Sequence, residues 1–202
     1  MNKIMIYTKH KPFNYKNLIE AVGKNSNYIL LFSILISGII LGCSFVFATD
    51  SEASIKFSEL LNCFFTTKSA FLNCFLTQLT MNSAFLLFAF TAGLCSIGIP
   101  LICCLPLVEG FFVGICSGFY LSEGVMAGMS SFLLQSAPGI IIFTTVSTVA
   151  YNTALKMSAD LAATVFINGK PRKNSMDYLI KFTIYFLIGG VAALISAVTL
   201  SL

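Results

Sequence analysis

The sequence predicts an all-α, polytopic integral membrane protein with about five transmembrane helices and an extracytoplasmic amphipathic helical loop. Two observations predict this class. The chain of 202 residues is 57% hydrophobic and only 10% charged, whereas soluble domains carry roughly 25% charged residues. The hydrophobic residues also form nearly uncharged blocks long enough to cross ~30 Å of hydrocarbon, at 28–48, 83–121, 125–151 and 178–202.

The block at 83–121 is about twice as long as one crossing requires, and Gly98-Ile99-Pro100 lies near its middle. Proline lacks a backbone donor and disfavours a helical conformation in the residue before it, so the chain is expected to reverse there. This reversal makes five predicted spans, at 28–48, 82–97, 101–121, 125–150 and 178–201. They form one membrane domain, 28–202, after a basic tail, 1–27.

The distribution of charge supports five spans. With that number, ten of the twelve basic residues fall on one side and only Lys56 and Lys68 on the other. A single crossing by 83–121 would nearly remove this bias. The positive-inside rule then places the amino terminus in the cytoplasm and the carboxyl terminus outside. A re-entrant hairpin over 82–121 would give the same loop positions, so it remains an alternative.

Two further features of the sequence are a possible cleavage site after the first span and the positive net charge. Val46-Phe47-Ala48 resembles a signal-peptidase site, but the apolar stretch before it is ~20 residues, longer than a signal-peptide core. The first span is therefore expected to stay uncleaved. The net charge of +4 comes from lysines beside span ends, which favours a role in orientation over binding of nucleic acid.

The segment 50–81 between the first two spans is amphipathic, with apolar residues at spacings close to i, i+3, i+4 and i+7. It is expected to lie along the outer membrane surface. It either connects the spans or docks a partner outside the cytoplasm. The candidate docking residues are Phe57, Leu61, Phe64, Phe71 and Phe75.

The sequence lacks the residues that membrane enzymes use. Its single histidine, His10, lies in the tail, which excludes HExxH motifs and histidine-dependent triads. It has no Walker A motif, no GxSxG motif and no CxxC pair among its seven cysteines. On one continuous helix Cys63 and Cys74 would lie about 16 Å apart, too far for a disulfide. We expect no catalysis, no metal and no cofactor.

Glycines recur every fourth residue along the third span, which favours close packing of helices, because small residues let backbones approach in lipid. Counterparts occur in the first span and at the start of the fourth. Packing within the chain is the simplest interpretation, and packing against another protein or a second copy is the alternative. The stripe is Gly110, Gly114 and Gly118, and its counterparts are Gly38 with Gly42 and Gly124 with Gly128.

Glu109 lies inside the third span, where an isolated carboxylate costs several kcal/mol. It must be protonated, hydrated or paired. The candidate partners on the fourth span are Gln135, Thr144, Thr145, Ser147 and Thr148. Pro138 is expected to kink that span near its middle and to leave a polar cavity beside Glu109. The site then serves either a structural hydrogen bond or partner contact, or transport.

Two motifs, FxxGLCSIGIP at 90–100 and EGFFVGICSGF at 109–119, follow a basic tail, a glycine-bearing first span and an amphipathic loop. This order resembles the stage II sporulation protein M family. The resemblance implies a five-span scaffold of endospore-forming Gram-positive bacteria that assembles with sporulation proteins D and P. Those partners degrade peptidoglycan at the septum during engulfment of the forespore, and the family member localises and assembles them.

A second class of function is a permease-like subunit of a transporter that uses Glu109 in a polar cavity. The two hypotheses differ in what they require of Glu109. A scaffold tolerates glutamine at this position and depends on its partner-binding surfaces, whereas a permease loses flux when the carboxylate is replaced.

Overall fold

The computed structural model describes residues 26–48, 71–122, 130, 132–167 and 175–201. These residues form five long helices and a π-helical turn, with no strand in the described part of the chain. Each long helix is long and apolar enough to cross a membrane, which confirms the predicted class. The helices are α1 (Ser26–Ala48), α2 (Phe71–Gly93), α3 (Ile99–Ser122), α4 (Ala137–Ile167) and α5 (Ser175–Ser201), and the π-helical turn is Phe132–Ser136.

The second span begins at Phe71 rather than at residue 82 and ends at Gly93. The end of the segment predicted to lie on the surface, 71–81, is therefore part of a spanning helix. Its polar residues, such as Asn73 and Thr77, gave it the pattern of a surface helix. At the predicted start of the span, Asn82 is buried and its Nδ2 donates to the carbonyl oxygen of Gly189 at 3.1 Å. A helix of 23 residues is about 35 Å long, which is sufficient for a complete crossing.

The fourth span is also displaced from its predicted limits of 125–150, because its α-helix runs from Ala137 to Ile167. Pro138 is the second residue of this α-helix and directly follows the π-helical turn Phe132–Ser136. Proline and π-helical turns both mark places where a helix departs from its regular hydrogen bonds. Residues 123–129 lie outside the described part of the chain, and with them the predicted packing glycines Gly124 and Gly128.

A tight turn over 94–98 joins α2 to α3, at the predicted reversal. The backbone N–H of Gly98 donates to the carbonyl oxygen of Cys95 at 3.1 Å. A Cβ atom on Gly98 would collide with the carbonyl oxygen of Ala92, so the turn requires glycine at this position. Pro100 occupies the first turn of α3, where its missing N–H costs no helical hydrogen bond.

Side chains of α4 and α5 hold this turn in place. The hydroxyl of Ser158 donates to the carbonyl oxygen of Cys95 at 2.7 Å, and the hydroxyl of Tyr178 donates to the carbonyl oxygen of Phe90 at 3.0 Å. The rings of Phe90 and Tyr178 also stack, with centroids 5.3 Å apart. The turn is therefore tied to both of the later helices.

The contacts between helices define their relative directions. Helices α1 and α3 run in the same direction, because Gly38 faces Leu107 and Gly118 faces Val46. Helix α5 runs opposite to α2, since Asn82 meets Gly189 whereas Phe90 meets Tyr178.

Helix α4 runs opposite to α5, because Gly139 lies against Ser196 and the hydroxyls of Thr153 and Tyr185 are 3.1 Å apart. The starts of α1, α3 and α5 and the ends of α2 and α4 thus share one end of the bundle. We call it the tail end, and the other the far end. The ammonium group of Lys156 lies 5.7 Å from the ring centroid of Tyr28 near the tail end.

Backbones approach closely where α1 meets α3. A Cβ atom on any of four glycines of this interface would collide with a backbone carbonyl oxygen of the facing helix. Since such collisions involve backbone, no side-chain rotation could relieve them. The glycines and the carbonyls that they face are Gly38 (Leu107), Gly42 (Phe111), Gly110 (Leu35) and Gly114 (Ile39).

We expect Gly110→Ala to lower the free energy of unfolding by about 1–3 kcal/mol, a typical cost of overpacking. Gly190→Ala is the matched control, because the nearest atom to a Cβ there is a Leu79 methyl carbon at 3.7 Å, an ordinary contact. The control should be neutral or stabilising, since alanine favours helix over glycine. Thermal unfolding in detergent, followed by circular dichroism, measures both; equal changes would contradict the packing.

Candidate functional site

Glu109 lies on α3 and is buried, with 2% of its surface exposed. Two hydroxyl groups of α4 donate to its two carboxyl oxygens. Ser147 donates to Oε1 at 2.7 Å, and Tyr151 donates to Oε2 at 2.6 Å. Ser147 and Tyr151 are four residues apart, so they lie on the same face of α4 and reach the carboxyl group together.

No ion pair to Glu109 occurs within the residues that the structure describes, and the basic side chain of Lys156 lies near Tyr28 instead. A carboxyl group buried in this way depends on hydrogen bonds for its stability. Ser147 has a second acceptor available, the carbonyl oxygen of Thr144 at 3.1 Å. The Glu109 group thus links α3 to α4 through a small network of side chains.

A cavity of about 70 Å³ lies beside Glu109, between α2, α3, α4 and α5. Its wall combines aromatic and aliphatic side chains with five oxygen-bearing polar side chains. The polar lining residues are Gln78, Asn82, Glu109, Thr144 and Ser196, and the others are Met81, Phe85, Phe112, Val113, Cys116, Gly139, Ile140 and Phe143. A cavity of this size and polarity can hold water or a small polar ligand.

Two of the polar lining residues are held by hydrogen bonds to backbone. The Nδ2 of Asn82 donates to the carbonyl oxygen of Gly189 at 3.1 Å, and the hydroxyl of Thr144 donates to the carbonyl oxygen of Ile140 at 2.9 Å. These bonds fix the orientation of both side chains.

The structure brings part of the predicted polar site together. Ser147 contacts Glu109, and Thr144 lines the cavity. Thr145 and Thr148 donate instead to carbonyl oxygens of their own helix. The side chain of Gln135 lies outside the described part of the structure.

Tyr151 and Asn82 are members of the site that sequence reasoning missed. Tyr151 lies one turn beyond Ser147, so helical spacing from Ser147 would have identified it as a second candidate partner. Asn82 gave no such signal, because its role depends on the approach of α5.

The predicted docking residues fall in two parts of the chain. Phe71 and Phe75 lie in the first turns of α2, where their rings stack with centroids 6.4 Å apart. Phe71 is 45% exposed at the far end of the bundle. Phe57, Leu61 and Phe64 lie outside the described residues.

No group of three or more histidine, cysteine, aspartate or glutamate side chains that could hold a metal ion occurs in the described ranges. The six cysteines described there form no disulfide, and Cys63 lies outside those ranges. The buried carboxyl group and its cavity are therefore the principal chemical feature of the bundle.

The family model described as Stage II sporulation protein M matches residues 29–200 of the chain. This range includes Glu109, its two hydroxyl donors and every residue that lines the cavity. The match confirms the resemblance drawn from residues 90–119. No curated protein and no solved structure matches the chain significantly.

The hydrogen bond from Tyr151 to Glu109 predicts that Tyr151→Phe changes the free energy of unfolding in opposite directions with and without the carboxyl group. We expect Tyr151→Phe to destabilise the native chain, because the carboxyl group loses a donor, at a cost of about 1–3 kcal/mol. In a Glu109→Leu background the same substitution should instead stabilise, because it removes a buried hydroxyl that has lost its acceptor.

Thermal unfolding of the four proteins of this double-mutant cycle in detergent gives the comparison. Ser147 is not the residue of choice here, since its hydroxyl can turn to the carbonyl oxygen of Thr144. The same effect of Tyr151→Phe in both backgrounds would show that the two side chains are not coupled.

Proposed function

Since this chain belongs to the stage II sporulation protein M family, we propose that it is a membrane scaffold that assembles and localises septal peptidoglycan hydrolases during engulfment. It is a multi-pass membrane protein of a sporulation-related family. That family is not a known enzyme family. The hydrolases that fit the proposal are sporulation proteins D and P.

The observation that carries the proposal is the use of buried polar side chains within the bundle. Both oxygens of Glu109 accept hydrogen bonds from α4, Asn82 bonds to α5, and Ser158 holds the turn between α2 and α3. Polar groups used in this way join helices to each other and give a rigid platform. Such a platform suits a subunit that positions other proteins.

The far end of the bundle is the proposed docking side. Phe71 and Leu72 are 45% and 62% exposed there, at the start of α2. Aromatic side chains are common at protein interfaces and at the membrane surface. Under the proposed orientation this end faces the cell wall, where the hydrolases act.

A permease-like subunit is the second candidate function, and the cavity beside Glu109 favours it. The two functions make opposite demands on the carboxyl group. Recruitment of hydrolases by a scaffold should survive Glu109→Gln, whereas flux through a permease should be lost.

Purification of the tagged full chain from its native host in detergent tests the scaffold. We expect peptidoglycan hydrolases to co-purify, and we expect their recovery to fall when Phe71 and Phe75 are both replaced by alanine. Phe88→Ala is the matched control, because Phe88 is an aromatic residue of the same helix, 63% exposed but about 25 Å along the helix from Phe71. Recovery of an ATPase or a solute-binding protein instead of hydrolases would favour the permease.

The proposed orientation has its own test. Reporter domains inserted at 170–171 should be active only as cytoplasmic reporters, and those fused after Leu202 only as external ones, because most basic residues precede the first helix or lie between the last two in the sequence. Reporter activity with the opposite pattern would reverse the orientation and remove the far end as a docking surface for wall enzymes.

A further inference from the structure

Two polar residues that line the cavity beside Glu109, Asn82 and Thr144, already donate hydrogen bonds to backbone carbonyl oxygens. The hydroxyl of Thr144 donates its hydrogen to carbonyl oxygens of its own helix, Ile140 at 2.9 Å or Ile141 at 3.2 Å. This leaves the lone pairs of the hydroxyl oxygen for the cavity. A hydroxyl placed in this way accepts or coordinates, and it cannot donate to a ligand without breaking its bond to the helix.

Asn82, like Thr144, donates a hydrogen bond to a backbone carbonyl oxygen. It is 7% exposed, it lines the cavity, and its Nδ2 is held by the carbonyl oxygen of Gly189. Oδ1 of Asn82 accepts no hydrogen bond from the described residues, and it remains available to the cavity together with the second hydrogen of Nδ2. An amide oxygen at a cavity wall without a protein donor can be satisfied by an occupant that supplies positive charge or a hydrogen.

Glu109 supplies the carboxyl group of this wall, and this group carries a negative charge when it is ionised. Its two hydrogen bonds come from neutral hydroxyls, and no basic side chain among the described residues pairs with it. A carboxylate can accept about four hydrogen bonds or ligand contacts, so two accepted bonds leave capacity for a cation. A charge buried within a membrane is stable when an opposite charge accompanies it.

We propose that the cavity bounded by Asn82, Glu109 and Thr144 binds a monovalent alkali cation of the sodium class. The side chains around it offer oxygen ligands, which hard cations prefer. One carboxylate balances one positive charge, whereas protein sites for calcium commonly use several carboxylates. The volume of about 70 Å³ accommodates a dehydrated ion together with one or two waters.

The cation lies between helices that are distant in sequence. Asn82 belongs to α2, Glu109 to α3, Thr144 to α4, and Ser196, which also lines the cavity, to α5. A ligand that contacts four helices stabilises the native bundle by mass action, because the unfolded chain offers no such site. This inference does not depend on recruitment of hydrolases, so co-purification and cation binding can fail separately.

Thermal unfolding of the purified full chain in detergent tests the site, in sodium chloride and in N-methylglucamine chloride at equal ionic strength. We expect the native chain to melt several degrees higher in sodium chloride. Glu109→Gln should remove this difference, because glutamine keeps hydrogen-bonding capacity but no charge. Bound radioactive sodium, displaced by unlabelled sodium chloride, should be lost in the same variant.

Thr144→Val and Thr183→Val form a matched pair. Both threonines donate to a carbonyl oxygen of their own helix, but Thr183 is exposed on α5 and does not line the cavity. Thr144→Val should reduce the sodium-dependent difference and Thr183→Val should keep it. If Glu109→Gln does not fold, Thr144→Val and Ser196→Ala replace it.

Equal melting temperatures of the native chain in the two salts, without displaceable radioactive sodium, would overturn the proposal and leave the cavity to water. A sodium effect of the same size in Thr144→Val and Thr183→Val would also overturn it, because the cation would then bind elsewhere.

Discussion

The clamped turn between α2 and α3 is the constraint on which the rest of the structure depends. It sends α3 back along α2, and every later helix alternates in direction from there. The turn itself is short, and glycine at position 98 is required because the carbonyl oxygen of Ala92 occupies the space of a Cβ atom. The hydroxyl of Ser158 on α4 fixes the turn by a hydrogen bond to Cys95. The turn is therefore tied to α4 through Ser158 and, through the bond from Tyr178 to Phe90, to α5.

Two different forces hold the helices together, and both follow from the lipid environment. Lipid does not drive helices together by hydrophobicity, so close backbone contact and hydrogen bonds must do so. The α1–α3 interface uses contact alone, with glycines of each helix against carbonyl oxygens of the other. Helices α2, α4 and α5 add hydrogen bonds, as from Asn82 to Gly189 and from Tyr178 to Phe90. The first helix is thereby attached to α3 by shape, and the later helices are attached to each other by shape and polarity.

The buried carboxyl group of Glu109 lies where the α1–α3 interface meets the α3–α4 interface. Glu109 adjoins Gly110, so the residue that faces α1 and the residue that bonds to α4 are neighbours on α3. Both interfaces of α3 therefore depend on the same turn of this helix. The cavity lies beside the same carboxyl group, which in the proposed cation site would supply the charge and keep its bonds to α4.

The sequence by itself determined the number of helices, the reversal at Gly98 and the register of the packing glycines. These features depend on hydrophobic length, on the backbone chemistry of glycine and proline, and on a repeat of four residues, all of which are local properties. The same local reasoning placed the start of the second span at residue 82, whereas the helix begins at Phe71. The segment 71–81 has the amphipathic pattern of a surface helix, and this pattern alone cannot distinguish a surface helix from a spanning helix that packs against its neighbours.

Only the tertiary structure decided which polar groups meet. Asn82 is buried because α5 brings the carbonyl oxygen of Gly189 to it, and Tyr151 reaches Glu109 because α4 lies against α3 at that height. The partners are separated by 107 and 42 residues. No periodicity within one helix carries information over such distances, because the contact depends on the relative height and rotation of two helices that the chain joins only indirectly.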